Sequence, residues 1–245
     1  MAIVRKFSIG VQPFTKMFRM LGVAGSACDA VLRLRSKTLA DDFYREVGWS
    51  TDRTVCKLSN STLGNVLTLT EESVVFTKDC HENDKVFSFE KTLSEFKVVY
   101  AALNAILNVQ DIRRVGIVAE YRLTVEAKSP SAWLREKLTT NQSALVTDKF
   151  FMKFEEREFA ADGGAPDPKK ADFINYIYHF YDSVLDADHS KPGFVDANLD
   201  VQHYFAPVLN SSVPDEIQKL YRHFEAAQKR LDERLKAMGA VHGKR

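Results

Sequence analysis

Metal binding is the first chemistry that the spacing of side chains suggests. Asp182, Asp186, Asp188 and His189 lie close together in the sequence. Carboxylate oxygens are the ligands that divalent cations such as Ca²⁺ prefer. The stretch lacks the glycine and the bidentate glutamate of a calcium loop at the required positions. We therefore interpret it as a solvated acidic loop and predict no metal site.

Proton transfer is the second chemistry to consider. His179 and His203 lie on segments that we predict to be neighbouring strands, where a histidine pair could bind a transition metal or act as acid and base. Histidines are equally ordinary on the solvated faces of strands. Cys80 and His81 are adjacent, and adjacent residues of an extended chain point to opposite sides. Since the common nucleophile, phosphate-loop, dinucleotide and zinc motifs are all absent from the sequence, we predict a protein that is not an enzyme and carries no cofactor.

Aromatic side chains are concentrated in two stretches of the second half of the chain. The residues that we select as a candidate interface are Phe173, Tyr176, Tyr178, Tyr181 and Tyr204. Tyrosine offers a large, rigid contact area and is enriched where proteins meet. A thick aromatic core between a sheet and its helices is the alternative. The first functional hypothesis is an interaction or assembly protein that binds a protein partner or a second copy of itself.

A small-ligand site is the second functional hypothesis. Tyr100, Tyr121 and Arg122 lie on a predicted helix and a predicted strand that would pack together. A cleft between the two elements, lined by these side chains, would suit a small molecule or a nucleotide in a regulatory domain.

These residues are positioned by elements that the hydrophobic pattern predicts. Residues 114–126 alternate without a slip between apolar and polar side chains, which predicts a central strand, most naturally antiparallel, with one buried face. We also predict strands at 3–11, 30–34, 54–58, 66–70, 74–78, 150–154, 173–181 and 195–201. The predicted helices cover 14–21, 39–47, 88–108, a segment from residue 130, and 213–238.

This order of elements predicts an α+β fold in which antiparallel sheets are packed by long amphipathic helices. Three strands and a long helix occur at 54–108 and again at 149–238. The repeat reflects either a duplication or the frequent occurrence of this arrangement in α+β folds. We predict an N-terminal half at 1–140 and a C-terminal half at 141–245 that share one continuous core.

Composition narrows the classes of protein and of partner. The 245 residues carry a net charge of +1, which makes nucleic acid an unlikely partner. Arg33, Arg35 and Lys37 would share one face of a predicted strand, where they could bind phosphate or keep an edge strand from pairing. Three widely spaced cysteines and the lack of a long apolar run predict reduced thiols in the cytoplasm and no membrane span. The acid-free stretch 1–28 resembles a transit peptide, but the alternation from Ile3 favours a first strand.

Several segments together resemble a known family. RVGIVAEYRL at 114–123 is similar to the R-[IV]-G-L-R-Y-x-N-R-I strand motif of a sporadically distributed family of uncharacterised bacterial proteins of about this length. The strand LTLTEESVVFTKD and the helix FSFEKTLSEFKVVYAALNAIL before it resemble the family's pattern, as do NLDVQHYF and IQKLYRHFEAAQKRLDERL near the end. Ala119 stands near the family's arginine or tyrosine, and the Asn-Arg pair is missing. The resemblance implies a setting in a bacterial defence or stress module.

Overall fold

In the computed structural model the described residues form one nine-stranded antiparallel sheet and four helices. The structure describes residues 3–35, 37–80, 87–125, 129–140, 147, 149–159, 172–182, 193–209 and 212–239. The strands are β1 (Ile3–Pro13), β2 (Glu46–Trp49), β3 (Val55–Asn60), β4 (Asn65–Thr70), β5 (Val74–Asp79), β6 (Ile112–Val125), β7 (Phe151–Phe159), β8 (Phe173–Asp182) and β9 (Gly193–Leu209). The helices are α1 (Arg19–Leu32), α2 (Phe89–Leu107), α3 (Pro130–Leu138) and α4 (Val213–Ala237). The predicted α+β fold with an antiparallel sheet is confirmed.

The sheet runs through both halves of the chain. Its order is β2-β3-β4-β5-β1-β6-β9-β8-β7, so β1 and β6 are neighbours near the middle. Apart from the edge strand β2, the strand order is the same on each side of this pair. In each series the strand that comes first in the sequence lies next to the strand that comes last. Beginning at the middle, the two series are β1-β5-β4-β3 and β6-β9-β8-β7.

One face of the sheet, here called the helix face, carries the hydrophobic core. Ile9 pairs with Phe76 on one side and with Ile117 on the other, and Ile117 pairs in turn with Val201. Each of these side chains is fully buried. α2 covers the first half, where Phe96 contacts Phe76 edge to face at 6.2 Å, and α4 packs on β6 and β9. The two halves therefore share one layer of core side chains.

The long helices begin where their sequences predict. The Ser88 hydroxyl accepts a hydrogen bond from the backbone amide of Lys91 at the start of α2, which is the ordinary role of an N-cap serine. Asn108 ends this helix in a left-handed conformation with φ 50°. α4 has a proline in its first turn together with Asp215 and Glu216, whose negative charges favour the helix N-terminus.

The segment between β1 and β3 differs from the prediction. The predicted helix at 14–21 and strand at 30–34 are wrong, because one helix, α1, spans Arg19–Leu32. Gly22 and Gly25 suggested breaks, yet both lie inside α1, where burial of Met20, Ala24 and Val31 follows helical spacing. The predicted helix at 39–47 is also wrong, since its end forms part of the edge strand β2.

The opposite face of the sheet, here called the open face, is half-buried along its central strands. From Val115 to Val125 of β6, each buried residue alternates with one that is partly accessible to solvent. The side chains that pack into the helices all belong to the helix face. Among the described helices, none is long and apolar enough to cross a membrane.

Candidate functional site on the open face of the sheet

Two glycines create a gap near the centre of the open face. Gly10 of β1 lies directly opposite Gly116 of β6. A Cβ atom built at Gly10 would meet no heavy atom within 4 Å, so the backbone of β1 lies bare there, whereas a Cβ atom at Gly116 would lie 3.5 Å from Gln202 Cγ. Glycine in the interior of a strand often marks a place where another molecule approaches the backbone closely.

A chain of four hydrogen-bonded side chains runs beside this gap. Arg114 Nη1 donates to Tyr204 Oη at 2.9 Å, and Tyr204 Oη donates to Gln202 Oε1 at 2.9 Å. Gln202 Nε2 then donates to Asp200 Oδ2 at 2.5 Å. The chain exists because β6 and β9 pair in a register that puts Arg114 opposite Tyr204. It links a guanidinium group to a carboxylate through two neutral side chains.

Two aromatic rings and two guanidinium groups stack across four strands. The rings of Tyr204 and Phe173 lie 4.7 Å apart and nearly parallel. Arg114 Cζ lies 5.5 Å from the Tyr204 ring, and Arg157 Cζ lies 5.3 Å from the Phe173 ring. A guanidinium over an aromatic face is a favourable cation–π arrangement. Since both rings are already stacked, this row stabilises the sheet and orients the two arginines towards the open face.

The outermost strands add charge to the same area. Glu155 lies 3.0 Å from Lys153 Nζ and 3.7 Å from an Arg157 nitrogen. Asn175 Nδ2 donates to Glu155 Oε2 at 3.4 Å. The Lys153 ammonium is the largest influence on Glu155 and holds the pKa of this carboxyl below its ordinary value. The area therefore combines both signs of charge, with an excess of cations.

Two acceptor oxygens in this area have no hydrogen-bond partner among the described residues. They are Asn175 Oδ1 and Asp200 Oδ1, and both are screened from solvent. Asn175 is only 4% exposed. Burial raises the pKa of Asp200 to about 6, although the Gln202 hydrogen bond and the Arg114 charge act in the opposite direction. A buried polar atom without a partner costs about 1–3 kcal/mol, so these oxygens need an explanation.

Two adjoining depressions open above these residues. One has a volume of about 420 Å³ and is lined by charged and aromatic side chains of β6, β7, β8 and β9. The other has a volume of about 210 Å³ and lies over Gly10 and Gly116. Arg114, Asp200 and Gln202 line both. We call this area the open-face site. It consists of Arg114, Arg157, Asn175, Asp200, Gln202 and Tyr204, with the two glycines as its floor.

The residues of the predicted interface divide between the two faces of the sheet. Phe173, Tyr181 and Tyr204 belong to the open face, and Phe173 and Tyr204 line the larger depression. Tyr176 and Tyr178 lie on the helix face, where they are 6% and 4% exposed. The prediction that Tyr176 and Tyr178 present a partner surface is therefore wrong for the folded chain. They pack beneath α4, where Arg230 Cζ lies 4.9 Å from the Tyr176 ring.

The predicted cleft between sheet and helix is also wrong. Tyr121 and Arg122 are adjacent in β6, so they point to opposite faces. Tyr100 and Tyr121 are core residues at 3% and 1% exposure. Arg122 makes a bidentate pair with Asp196, with both nitrogen–oxygen distances at 2.8 Å. The three residues therefore cannot line a single ligand site.

Other predicted candidates do not come together either. His179 pairs with Asn198, whereas His203 pairs with Ile174, and the two histidines occupy opposite faces of the sheet. Among the described residues no group of three His, Cys, Asp or Glu side chains is placed to hold a metal ion. The acidic loop after Asp182 and the residue His81 lie outside the described residues. Arg33, Arg35 and Lys37 follow the end of α1 and do not form the predicted strand.

Prediction from the sequence missed Asn175, Asp200 and Gln202. Part of this site could have been recognised from the sequence, because the apolar residues of β9 alternate with Asp196, Asn198, Asp200 and Gln202. A run of short polar side chains on one face of a central strand is unusual for a purely structural strand. Comparison with protein-family models, with curated proteins and with solved structures finds no match to this chain.

Proposed function

We propose that this chain is a non-enzymatic binding protein that takes up a small polar ligand on the open face of its sheet. The proposal keeps the small-ligand hypothesis and moves its site from the sheet–helix cleft to the open-face site. It is carried by one observation. Asn175 Oδ1 and Asp200 Oδ1 have no hydrogen-bond donor among the described residues, and both residues line a depression of ligand size.

The chemistry of the site favours binding over catalysis. The described side chains that line the two depressions include no histidine and no cysteine. The Tyr204 hydroxyl is engaged with Arg114 and Gln202. A nucleophile, a base and an orienting group therefore do not meet in this site, whereas donors and acceptors for a ligand do.

A ligand screen with one blocking variant tests this proposal. Thermal unfolding is measured with a library of amino acids, sugar phosphates, nucleosides and nucleotides, because a ligand of the native state raises the midpoint. The variant Gly10→Val fills the open space above Gly10 in the floor of the site. Lys57→Ala, at an exposed position of β3, is the matched control. We expect a ligand that stabilises the wild type and Lys57→Ala but not Gly10→Val. Equal stabilisation of all three would place the ligand elsewhere, and a flat screen would count against the function.

Self-association is the second candidate function, and one observation favours it. β7 is the last strand of the sheet on its side, and Phe151 at its start is 74% exposed. An unpaired edge strand with an exposed aromatic residue is a ready surface for a second chain. Light scattering tests this: a concentration-dependent dimer that Phe151→Lys abolishes would support it, and a monodisperse wild-type monomer would contradict it.

We propose further that the two halves arose by duplication. The strand order on both sides of β1 and β6, which is the same apart from the additional edge strand β2, supports this. In the corresponding register RKFSIG at 5–10 aligns with RRVGIV at 113–118, with two identical residues in six. These segments would be related by a two-fold axis through the Ile9–Ile117 pair. A fragment that begins at β6 and ends with α4 would then expose the edge of β6 that β1 covers in the full chain and would dimerise through it, and a monomeric fragment would contradict the proposal.

The cellular setting completes the proposal. The free thiols of Cys28, Cys56 and Cys80 support a cytoplasmic location. The family resemblance around β6 supports a role in a bacterial defence or stress module, in which a regulatory ligand would act as a signal.

A further inference from the structure

The two depressions of the open-face site differ in chemistry, although three residues line both. The smaller one is lined mainly by Ser8, Gly10, Gln12, Ser73, Val75, Gly116 and Val118, in addition to the shared residues. The larger one contains Arg113, Arg114, Lys153 and Arg157 against Glu155 and Asp200. A ligand that fills both must have a neutral part and an anionic part.

The smaller depression suits a flat ring. Its floor consists of the bare backbone at Gly10 and of the paired Gly116, which the side chains of Gln202 and Asp200 border. Val75 pairs with Gly10 on one side, and Gln202 pairs with Gly116 on the other. A planar group lying on this floor would contact peptide planes below and apolar and polar side chains at its edges.

The larger depression suits an anion. Arg113 Nη1 donates to the carbonyl oxygen of Phe205 at 2.8 Å, which anchors this side chain at the rim and leaves its other N–H groups available. Arg157 is 42% exposed and Lys153 is 51% exposed along their side chains. Guanidinium groups bind phosphate with paired hydrogen bonds, and four cations here outnumber two carboxyl groups.

The unpartnered oxygens identify what the neutral part must offer. Asp200 Oδ1 belongs to a residue that lines both depressions and can only accept a hydrogen bond at this atom, so the neutral part of the ligand must bring an N–H or O–H donor, whereas Asn175 lines only the larger depression. Both atoms are screened from bulk water, so the ligand reaches them by turning these side chains slightly. Pairing them recovers part of the cost of leaving them unsatisfied.

We propose that the ligand is a nucleotide, with its base on the Gly10–Gly116 floor and its phosphate against Arg113, Arg157 and Lys153. This rests on the proposed binding function and specifies the ligand class for the same site. An exocyclic amino group, as adenine, guanine and cytosine carry, donates to Asp200, which lines the smaller depression. A base without one, such as uracil, offers fewer donors and binds more weakly.

Calorimetric titration of the full chain tests the proposal. The probes are the four ribonucleoside monophosphates, the matching nucleosides, inorganic phosphate and a short single-stranded oligonucleotide. We expect at least one monophosphate to bind tenfold or more tightly than its nucleoside and than inorganic phosphate, with UMP the weakest of the four. Equal affinity for nucleotide and nucleoside would overturn the phosphate assignment.

Variants locate the two parts of the ligand. Arg157→Ala should lower nucleotide affinity about tenfold and leave nucleoside affinity unchanged, Lys153→Ala should act in the same direction, and Gly10→Val should abolish both. Lys57→Ala, a cation removed from the same face of the sheet, should change nothing. Thermal unfolding of each variant without ligand verifies that it folds.

The outcomes separate this inference from the binding function itself. If only other members of the library bind and Gly10→Val blocks them, the nucleotide assignment fails and the binding function stands. If the oligonucleotide binds and no monophosphate does, the assignment also fails, because the site then recognises the backbone of a nucleic-acid strand and not a single nucleotide. If nothing binds, both fail together.

Discussion

Gly10 lies directly opposite Gly116 across the ladder that joins β1 to β6, near the middle of the sheet. Neither residue has the positive φ that would require glycine, and space is open above Gly10. Glycine in a strand interior weakens the strand, because it loses more backbone entropy and packs no side chain. The protein therefore gives up stability at the point where we place the ligand.

Replacing Gly10 by valine should stabilise the free protein. Valine favours extended backbone, and no neighbouring atom obstructs its Cβ. We expect a gain of about 0.5–1 kcal/mol in the free energy of unfolding, measured by urea denaturation. Gly64 is the contrasting position, because its φ is +68° and a Cβ there would lie 1.8 Å from the Asp79 carbonyl oxygen. Gly64→Ala should lose about 2 kcal/mol or more, and similar effects at both glycines would contradict this account.

Replacing Asp200 by asparagine should stabilise the protein at neutral pH. Burial raises the pKa of Asp200 from 3.8 to about 6, with Glu155 acting in the same direction and Gln202, Arg114 and Lys153 opposing it. The folded state therefore holds this proton to a higher pH than the unfolded state. This group's contribution is fully present below pH 4 and is lost as the pH rises to about 6. Asp200→Asn should gain about 1–3 kcal/mol at pH 7 and nothing at pH 4.

The control for this pH dependence is Asp52, which behaves in the opposite way. Hydrogen bonds from Ser50 and Thr54 lower the pKa of Asp52 to about 2. Its stabilising effect is present above the unfolded pKa and is lost as the pH falls, so Asp52→Asn should destabilise the protein at neutral pH. Urea denaturation between pH 2 and pH 7 measures both variants, because the effect of Asp52 is lost only below pH 4. A gain that is independent of pH for Asp200→Asn would show that its carboxyl group titrates normally.

Oxidation should join α1 to β3 by a disulfide. Cys28 Sγ and Cys56 Sγ lie 3.2 Å apart in the core, and both are free thiols. Diamide would take the two hydrogens of the thiols as the sulfur–sulfur bond forms. The closed loop spans 28 residues, for which a stabilisation of about 2–4 kcal/mol is ordinary. Peptide mapping without reductant should find the Cys28–Cys56 link and a free Cys80, and Cys28→Ser should abolish it.

Two aromatic residues of the second half should respond differently to substitution. Tyr178 is 4% exposed beneath α4, whereas Phe151 is 74% exposed on the edge strand. Tyr178→Ala should cost about 3–5 kcal/mol, as other large core truncations do, and Phe151→Lys should leave the unfolding midpoint within a degree or two. Differential scanning calorimetry measures both. A folded, stable Tyr178→Ala variant would contradict the placement of this residue in the core.

The elements that sequence patterns predicted well are those with one buried face. α2 and α4 have long apolar stripes with defined ends, and β6 alternates from Val115 to Val125 without a slip. α1 was missed because Gly22 and Gly25 suggest turns, and only the tertiary contacts of Met20 and Ala24 overcome their low helix propensity.

The site could not be predicted because it depends on which strands become neighbours. The alternation of β8 separates Phe173 from Tyr176, but it does not say which of the two faces the helices will cover. Arg114, Asn175 and Asp200 come from three strands far apart in the sequence, and only the order β6-β9-β8 brings them together. The short polar residues of β9 and the two glycines can be read from the sequence. Only the strand order shows that they lie together in one site.

The position of β1 in the middle of the sheet has a consequence for biosynthesis. β1 leaves the ribosome before the other described strands, but its partner β6 begins only at residue 112, and the partner of β6 begins at residue 193. Such distant pairings are reached slowly, because long loops must close before their contacts form. During translation β1 can pair with β5 while its other side still lacks a partner. Until β6 is synthesised, the nascent chain therefore exposes the backbone edge of β1 that pairs with β6 in the middle of the finished sheet.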